Sequence, residues 1–181
     1  MAQQIQQVLD FWFDQKNQPY WFVKSEEFDQ QIRRKFSELW QAVVNNQCLI
    51  WRDSIYGRLA EIIVLDQFSR NLHRDSPLAF AQDERALQLA RESVQLAAYA
   101  ELNLQQRQFL LLPYMHSESR TVQAEGMPLF AALNNPLVLD FAEQHKVIID
   151  RFGRFPHRNF VLNRESSAQE QAFLQQPGSS F

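Results

Sequence analysis

The stretch SEEFDQQIRRKFSELWQAVV, which runs from Ser25 to Val44, carries the clearest structural signal in the chain. Its apolar residues recur every three or four positions, which places them on one face of an α-helix: Phe28, Ile32, Phe36, Leu39, Trp40 and Val43. Ser25 is suited to cap the first turn, and Glu26 and Glu27 are favourable there because a helix N-terminus carries partial positive charge. The stretch therefore predicts a long amphipathic helix that ends near Asn45.

The same spacing recurs on both sides of this stretch. We predict seven further helices, at residues 5–13, 55–72, 77–99, 104–112, 117–133, 136–152 and 168–176. The chain has only four glycines, which disfavours turn-rich β folds and glycine-rich phosphate loops. A length of 181 residues fits one domain. We therefore expect an all-α single domain of about eight helices that covers residues 1–181, with a frayed tail at 177–181.

Prolines and glycines mark where these helices should weaken or end. Pro113 is expected to interrupt or end the helix at 104–112, because proline lacks the backbone N–H that a helix interior needs. Gly126 and Pro128 weaken the prediction for 117–133. Gly153 ends the helix before it and leaves 153–164 as an ordered, non-helical segment.

The composition excludes several classes of function. A net charge of −3 and a pI near 5.8 argue against nucleic-acid binding, which needs a basic surface. The single Cys48 excludes an internal disulfide and a cysteine-based zinc site. The first residues lack the pattern of a signal peptide, and no apolar run approaches the roughly 20 residues that cross a bilayer. We expect a cytoplasmic protein that does not bind membranes; its oligomeric state stays open.

Two nine-residue stretches echo each other. DQFSRNLHR at 66–74 and DRFGRFPHR at 150–158 both fit D-x-F-x-R-x-x-H-R. In the first, Asp66 and Arg70 are four residues apart and share a helix face. They and Asn71 are candidate ligand-binding residues, although the pair could equally be structural, with Asn71 as a helix cap.

The second stretch is richer in charge. RFGRFPHRN, at 151–159, brings together Arg151, Arg154, Arg158, His157 and Asn159. Guanidinium groups this close repel one another unless acids or an anionic ligand compensate them, and the arginine fork matches carboxylate or phosphate. We predict that the three arginines and Asn159 bind an anion; the alternative is a loop whose arginines cap helix ends.

A third group lies in LLPYMHSES, at 111–119. His116 and Glu118 are candidate catalytic residues, with His157 as a further candidate. Glu118 could orient either His116 or His157, but adjacency of Ser117 to His116 does not make a catalytic triad. No pair of ligands has the spacing of a known metal motif, although His145 could join His116, His157 and Glu118 from separate helices. The sequence predicts neither a metal nor a cofactor.

These segments together resemble a known family. VLDFWF, LDQFSRN, LLPYMHSE and the run from His145 through RFGRFPHRN to Arg164 occur in the order found in the bacterial family called domain of unknown function 924. The resemblance covers about residues 8–174. It implies an all-helical fold related to tetratricopeptide-like antiparallel helical arrays. It brings no established activity, substrate or cofactor.

The chain departs from the family pattern at several positions. An aromatic residue is usual in place of His73, an acid in place of Ser119, and a glycine in place of Asn163. His73 is therefore a poor catalytic candidate, and a two-carboxylate metal site is disfavoured. Asn163 is tolerable because asparagine accepts left-handed backbone angles. Asp66, Gln67, Arg70 and Asn71 match the pattern.

Three functions remain open. The first is a pocket lined by arginine and histidine that binds a small anionic ligand or a peptide carboxylate. The second is a hydrolase-type enzyme in which His116 or His157 is the general base, held by Glu118 or Asp66. The third, by analogy of fold alone, is a module that binds peptides or proteins. Whether the protein is an enzyme is left open by the sequence.

Overall fold

The computed structural model describes residues 2–180, and Met1 and Phe181 lie outside that range. Within it the chain forms eight helical rods and no strand. The α-helices are α1 (Ala2–Phe13), α2 (Glu26–Val44), α3 (Ile55–Ile62), α4 (Ser69–Leu72), α5 (Asp83–Ser93), α6 (Leu104–His116), α7 (Arg120–Ala131), α8 (Pro136–Phe152) and α9 (Ala168–Leu174). A π-helical turn (Ile63–Phe68) joins α3 to α4, so these three pieces form one rod. The expected all-α class is confirmed.

Among residues 2–180, no helix combines the length and the apolar character that crossing a bilayer requires.

The rod from α3 to α4 is the centre of the fold. It packs against α1, α2, α5 and α6. Leu59, Ile62 and Phe68 have no exposed surface, and Phe68 contacts the rings of Trp12 and Phe36. On the other side, α7 packs between α6 and α8. The apolar stripe predicted on α2 is buried against the rod, apart from Leu39, which is half-buried.

Polar side chains cap the helix starts. Ser25, the predicted cap of α2, accepts a hydrogen bond from the backbone N–H of Phe28, and Asn135 caps α8. Ser167 and Glu170 form a capping box at α9. Each such cap satisfies N–H groups that have no partner inside the helix, and stabilises it by about 1 kcal/mol.

The helix predicted at 77–99 was wrong in extent. The structure has a short 3-10 helix (Pro77–Ala79), then α5, then a second 3-10 helix (Ala97–Glu101). The Ser93 hydroxyl donates to the Leu89 carbonyl oxygen at 2.6 Å, a bond that competes with the helix ladder where α5 ends. The break places Asp83 at the free start of a helix instead of in a helix interior.

Pro113 does not end its helix, which was expected to stop at residue 112. α6 continues through it to His116. The residues just before and after Pro113 are fully or almost fully buried, so packing offsets the lost backbone hydrogen bond. Gln123 of α7 also donates to the carbonyl oxygens of Met115 and Ser117, at 2.7 and 2.9 Å, which closes the end of α6.

Several loop predictions were tested by backbone angles. Asn163, where the resemblance favours glycine, has φ = 53° and adopts the left-handed conformation, as does Asp75 with φ = 58°. Gly153 ends α8 with φ = 70°. The segment 153–164 contains one 3-10 helix (Pro156–Arg158) and is otherwise non-helical. In the tail predicted to fray, Ser179 is buried and its hydroxyl donates to the Leu174 carbonyl oxygen at 3.3 Å; Phe181 lies outside the described residues.

Candidate functional site

A cavity of about 560 Å³ lies between the C-terminal ends of α4 and α6, the side of α8, and the loop before α2. Cavities of roughly 300–1,000 Å³ are the usual size for small-molecule sites. Its walls are largely apolar, with Trp21, Phe80, Leu112, Phe141 and Phe155 among them. Its polar side chains come from the segments that the sequence singled out, and include Arg70, His116, His145, His157 and Arg158.

A histidine–aspartate pair lies at the cavity wall. His116 Nδ1 is 2.7 Å from Asp66 Oδ1, although the two residues are 50 positions apart. Asp66 has no exposed surface, whereas the His116 side chain is 15% exposed and lines the cavity. Gln67 also donates to Asp66, through its side-chain amide. The carboxylate is therefore buried behind the imidazole ring.

Both helices that supply this pair are irregular at the point where they meet. Asp66 lies in the π-helical turn of the central rod, and His116 follows Pro113 by one turn of α6. π-turns inside α-helices occur frequently at functional sites, and a proline in a helix interior removes a backbone hydrogen bond. The contact between Asp66 and His116 therefore lies beside two local irregularities, as is frequent for residues at functional sites.

The protonation of the pair follows from its surroundings. Burial favours the neutral carboxyl, but the charge of Arg70 and the contact with His116 outweigh it, so the pKa of Asp66 lies well below its usual range. Burial lowers the pKa of His116, and the charge of Asp66 opposes this only in part. An ionised Asp66 can only accept a hydrogen bond, so Nδ1 of a neutral His116 carries the proton. Nε2 then holds a lone pair.

Two arginines share one carboxylate behind the cavity. Arg70 makes a bidentate pair with Asp83, at 2.9 and 3.0 Å, and also contacts Asp66 Oδ1 at 3.0 Å. Arg158 Nη1 makes a longer contact with the same Asp83, 3.3 Å from Oδ2. Its Nη2 donates to the backbone carbonyl oxygen of His116 at 3.0 Å. Arg70 is therefore well compensated, and Arg158 is compensated weakly.

Arg158 is held between two aromatic rings. Its guanidinium carbon lies 4.5 Å from the centre of the Phe80 ring and 4.6 Å from that of Phe155. Its side chain is 7% exposed, and its Nε atom has no hydrogen-bond partner among the described residues. Burial and the nearby charge of Arg70 lower the pKa of Arg158 to about 10.

Two further histidines border the cavity. His145 of α8 approaches the Phe141 carbonyl oxygen through Nδ1 at 2.7 Å, and its ring centre is 6.4 Å from that of His116. Burial lowers the pKa of His145 to about 3 and that of His157 to about 4. Both imidazoles are therefore neutral at physiological pH.

These buried histidines predict a loss of stability in mild acid. The pKa of His116, His145 and His157 is lower in the folded protein than the roughly 6.5 of an unfolded chain, so the unfolded state binds protons first as pH falls. We expect the urea midpoint to fall steadily from about pH 6.5 downward. The test is urea unfolding at pH 7.5, 6.5 and 5.5. A midpoint that is constant over this range would contradict the expectation.

Two of the predicted arginines lie away from the cavity. Arg151 stacks on the rings of Phe152 and Phe173, at 4.6 and 5.8 Å. Arg154 makes a bidentate pair with Glu170, at 2.7 and 2.8 Å. The expected convergence of three arginines was therefore wrong in geometry, because Gly153 and the turns after it point them in different directions.

Glu118 and Asn159 form hydrogen bonds with residues that the sequence did not predict as their partners. Glu118 accepts from Arg164 at 2.7 Å and from the backbone N–H of Phe155, and the acid that contacts His116 is Asp66. Asn159 bonds to Ser166 and Arg164. Both hold the segment that carries Arg158 and His157. Asn71 is at the cavity, where its amide donates to Asp29.

Sequence reasoning missed Asp83 and Phe80. Asp83 was placed in the interior of a longer predicted helix, and no local pattern connects it to Arg158, which is 75 residues away. Phe80 also falls within that predicted helix, whereas in the structure its ring contacts the Arg158 guanidinium at the cavity. In residues 2–180, no three His, Cys, Asp or Glu side chains are grouped so that they could hold a metal ion.

The fold and the cavity define an all-helical protein with a buried ionic network beside a small-molecule-sized site. The sequence profile of the family described as "Bacterial protein of unknown function (DUF924)" matches residues 8–178, and the chain belongs to this family. The solved structure of a protein of unknown function from Agrobacterium tumefaciens is similar, with a TM-score of 0.91 and 32% identity over 96% of this chain and 98% of that one. A comparison with curated proteins gives no match. The relation to tetratricopeptide-like domains stays a prediction.

Proposed function

We propose that the cavity binds a small molecule that carries one carboxylate on an apolar body. The observation that supports this most directly is the state of Arg158, a buried cation on the cavity wall whose carboxylate partner Asp83 is already engaged by Arg70. Buried charges are stable only when they are paired, and a ligand carboxylate would give Arg158 a second acceptor that it does not share with Arg70.

The charges around the site favour a monoanion over a dianion. The positive charges of Arg70 and Arg158 are matched by Asp66 and Asp83, and His116 is neutral. Arg158 is engaged by Asp83 only through a long contact, so it can pair with one ligand carboxylate, whereas a dianionic phosphate would add a second negative charge to a buried site with no further cation to pair with it. The apolar walls, which include Leu112 and the aromatic rings, suit a hydrocarbon or aromatic body.

Ligand binding should depend on Arg158 and not on Arg151. We expect Arg158→Met to bind hexanoate or benzoate roughly 30-fold more weakly or worse, because removal of one partner of a buried charged pair costs about 2 kcal/mol or more. Arg158→Lys should also weaken binding, since lysine lacks the planar fork. The measurement is calorimetric titration of folded variants, with inorganic phosphate and hexanamide as the dianionic and neutral probes.

Arg151→Met is the matched control. It removes an arginine from the same segment, where the side chain stacks on Phe152 outside the cavity. It should bind hexanoate as the unaltered protein does. Equal affinity of Arg158→Met and the unaltered protein would refute the proposal, and so would a preference for phosphate or hexanamide over the carboxylates.

We further propose that this binding takes place in the cytoplasm, as the absence of any disulfide-forming cysteine pair suggests. The peptide-binding alternative stays a prediction, with no observation in the cavity that favours it over a small ligand.

A further inference from the structure

We propose that the cavity is also a hydrolytic active site, in which His116 is the general base that activates water against an acyl bond of the bound carboxylate-bearing molecule. This inference rests on the proposed ligand-binding function and adds hydrolysis of the bound molecule to it.

The geometry meets the requirements of a general base. The bond from His116 Nδ1 to Asp66, at 2.7 Å, fixes the imidazole ring from behind. Asp66 is itself held by Arg70 and Gln67 and is fully buried, so it cannot turn away from the ring. The lone pair is then on Nε2 of a ring that lines the cavity. A positioned base of this kind contributes on the order of 10²–10⁴-fold to a rate.

Arg158 links the base to the bound ligand. Its Nη2 donates to the backbone carbonyl oxygen of His116 at 3.0 Å, so the proposed carboxylate site and the base are built from one set of contacts. Arg158 and His116 also line the same cavity, so a molecule held by its carboxylate at Arg158 places its apolar body in the cavity that the imidazole ring borders. When the reacting groups are held together in this way, the attack becomes effectively unimolecular and its entropic cost falls.

Water is the nucleophile that the surroundings indicate. Among residues 2–180, no serine, threonine or cysteine side chain is hydrogen-bonded to His116, so the arrangement differs from a nucleophile–base pair. In the proposed step, a water O–H gives its proton to His116 Nε2 while the water oxygen bonds to the acyl carbon. The bond from that carbon to the leaving oxygen then breaks, and His116 returns the proton to the departing alkoxide.

An acyl bond fits this site better than a phosphoryl bond. Phosphoryl transfer places several negative charges in the site and needs an excess of cations or metal ions to stabilise them. Here the two arginines are already balanced by Asp66 and Asp83. An acyl substrate with one carboxylate brings one permanent negative charge, and a second develops only transiently at the oxyanion, whereas a phosphate monoester brings two before any bond changes.

The test uses the full chain and three chromogenic probes: 4-nitrophenyl hydrogen glutarate, 4-nitrophenyl acetate and 4-nitrophenyl phosphate. We expect turnover of the glutarate ester above that of the other two. His116→Asn should reduce this turnover by about 100-fold or more while the protein still binds hexanoate. The asparagine amide can still donate to Asp66, so the fold should persist. His73→Asn, which alters a histidine outside the cavity, is the control and should leave the rate unchanged.

Asp66 is a positioning residue, and its effect should show in the pH profile. Turnover requires the neutral form of His116, whose pKa is lowered in the folded protein. The rate should therefore rise with pH below about 6.5, the ordinary histidine pKa, and be constant above it. Because the charge of Asp66 raises the pKa of His116, Asp66→Asn should move this acidic limb to lower pH while the plateau falls. If Asp66→Asn does not fold, nitrogen-detected NMR of the unaltered protein replaces it, with the Nδ1–H tautomer of His116 expected.

The outcomes separate the two proposals. Binding of hexanoate without hydrolysis of any probe would overturn the inference and leave the binding site intact. Hydrolysis that is equal in His116→Asn and the unaltered protein, or an Nε2–H tautomer, would also overturn it. Hydrolysis that needs His116 but shows no preference for the glutarate ester over the acetate ester would support the base and refute the carboxylate site.

Discussion

Replacement of Asp66 by alanine is expected to destabilise the protein by about 3–5 kcal/mol, the usual cost of removing one partner from a buried ion pair. The substitution leaves the Arg70 guanidinium with one carboxylate instead of two, and leaves His116 and Gln67 without their acceptor. The measurement is equilibrium urea unfolding at pH 7.

The echoed motif provides the matched control. Asp150 occupies the position in the second copy that Asp66 occupies in the first, but its side chain is half exposed and pairs with Lys146, one turn earlier on α8. Asp150→Ala should therefore cost no more than about 0.5 kcal/mol. Similar losses in the two variants would show that Asp66 does not support a buried network.

Part of the contribution of Asp66 should also depend on pH. Its folded pKa is lower than its unfolded value, so the stability it provides is present above about pH 4 and is lost as pH falls below that value. The alanine variant should lack this part of the acid sensitivity and retain the part due to the histidines, which begins near pH 6.5.

Gly57→Ala is expected to destabilise the protein by about 3 kcal/mol, at the upper end of the cost of overpacking. A Cβ atom at Gly57 would lie 2.0 Å from the backbone carbonyl oxygen of Trp51. The clash is with backbone, in the 3-10 helix (Leu49–Asp53) that packs on α3, so no side-chain rotation relieves it. In an exposed helix interior, replacement of glycine by alanine stabilises a protein by up to about 1 kcal/mol. The sign of the change in the free energy of unfolding therefore tests whether the clash at Gly57 is present.

Gly153→Ala serves as the comparison for Gly57→Ala. Nothing lies within 4 Å of a Cβ at Gly153, and the expected cost there, about 1 kcal/mol, comes only from its φ of 70°. Thermal and urea unfolding of both variants would measure the difference. A stabilised Gly57→Ala protein would show that α3 and the 3-10 helix are not in close contact.

The fold could be predicted well because its signals are local. The stripe on α2, the capping serines and asparagines, and the glycine that ends α8 each act within a few residues, and the structure confirms them. Pro113 was misjudged because the packing that carries α6 through it comes from distant segments. The break before α5 was missed because a proline after serine starts a 3-10 helix as readily as an α-helix.

The site could be predicted only in part. Asp66, Arg70, His116 and Arg158 were all named from their motifs, and so was the Asp66–Arg70 pair, but Asp66 was only one of two acids named for His116, and Asp83 was not named as a partner of the arginines. Glu118 was the nearest acid in sequence to His116, whereas the acid that contacts it comes from another helix. Arg154 and Arg158 looked equivalent, yet Glu170 neutralises one and the other lies at the cavity. Which acid meets which base depends on how the helices pack.

Because of the π-helical turn, the two halves of the central rod direct their side chains to different parts of the protein. Each residue of a regular helix advances the chain by about 100° of rotation, and a π-turn holds one residue more than a regular turn. Side chains after Phe68 are therefore out of phase with those before Ile63. The first half of the rod directs Leu59 and Ile62 into the core, and the second half directs Arg70 and Asn71 to the cavity. Deletion of a single residue from the turn would restore the phase of the helix and carry the polar side chains away from the cavity.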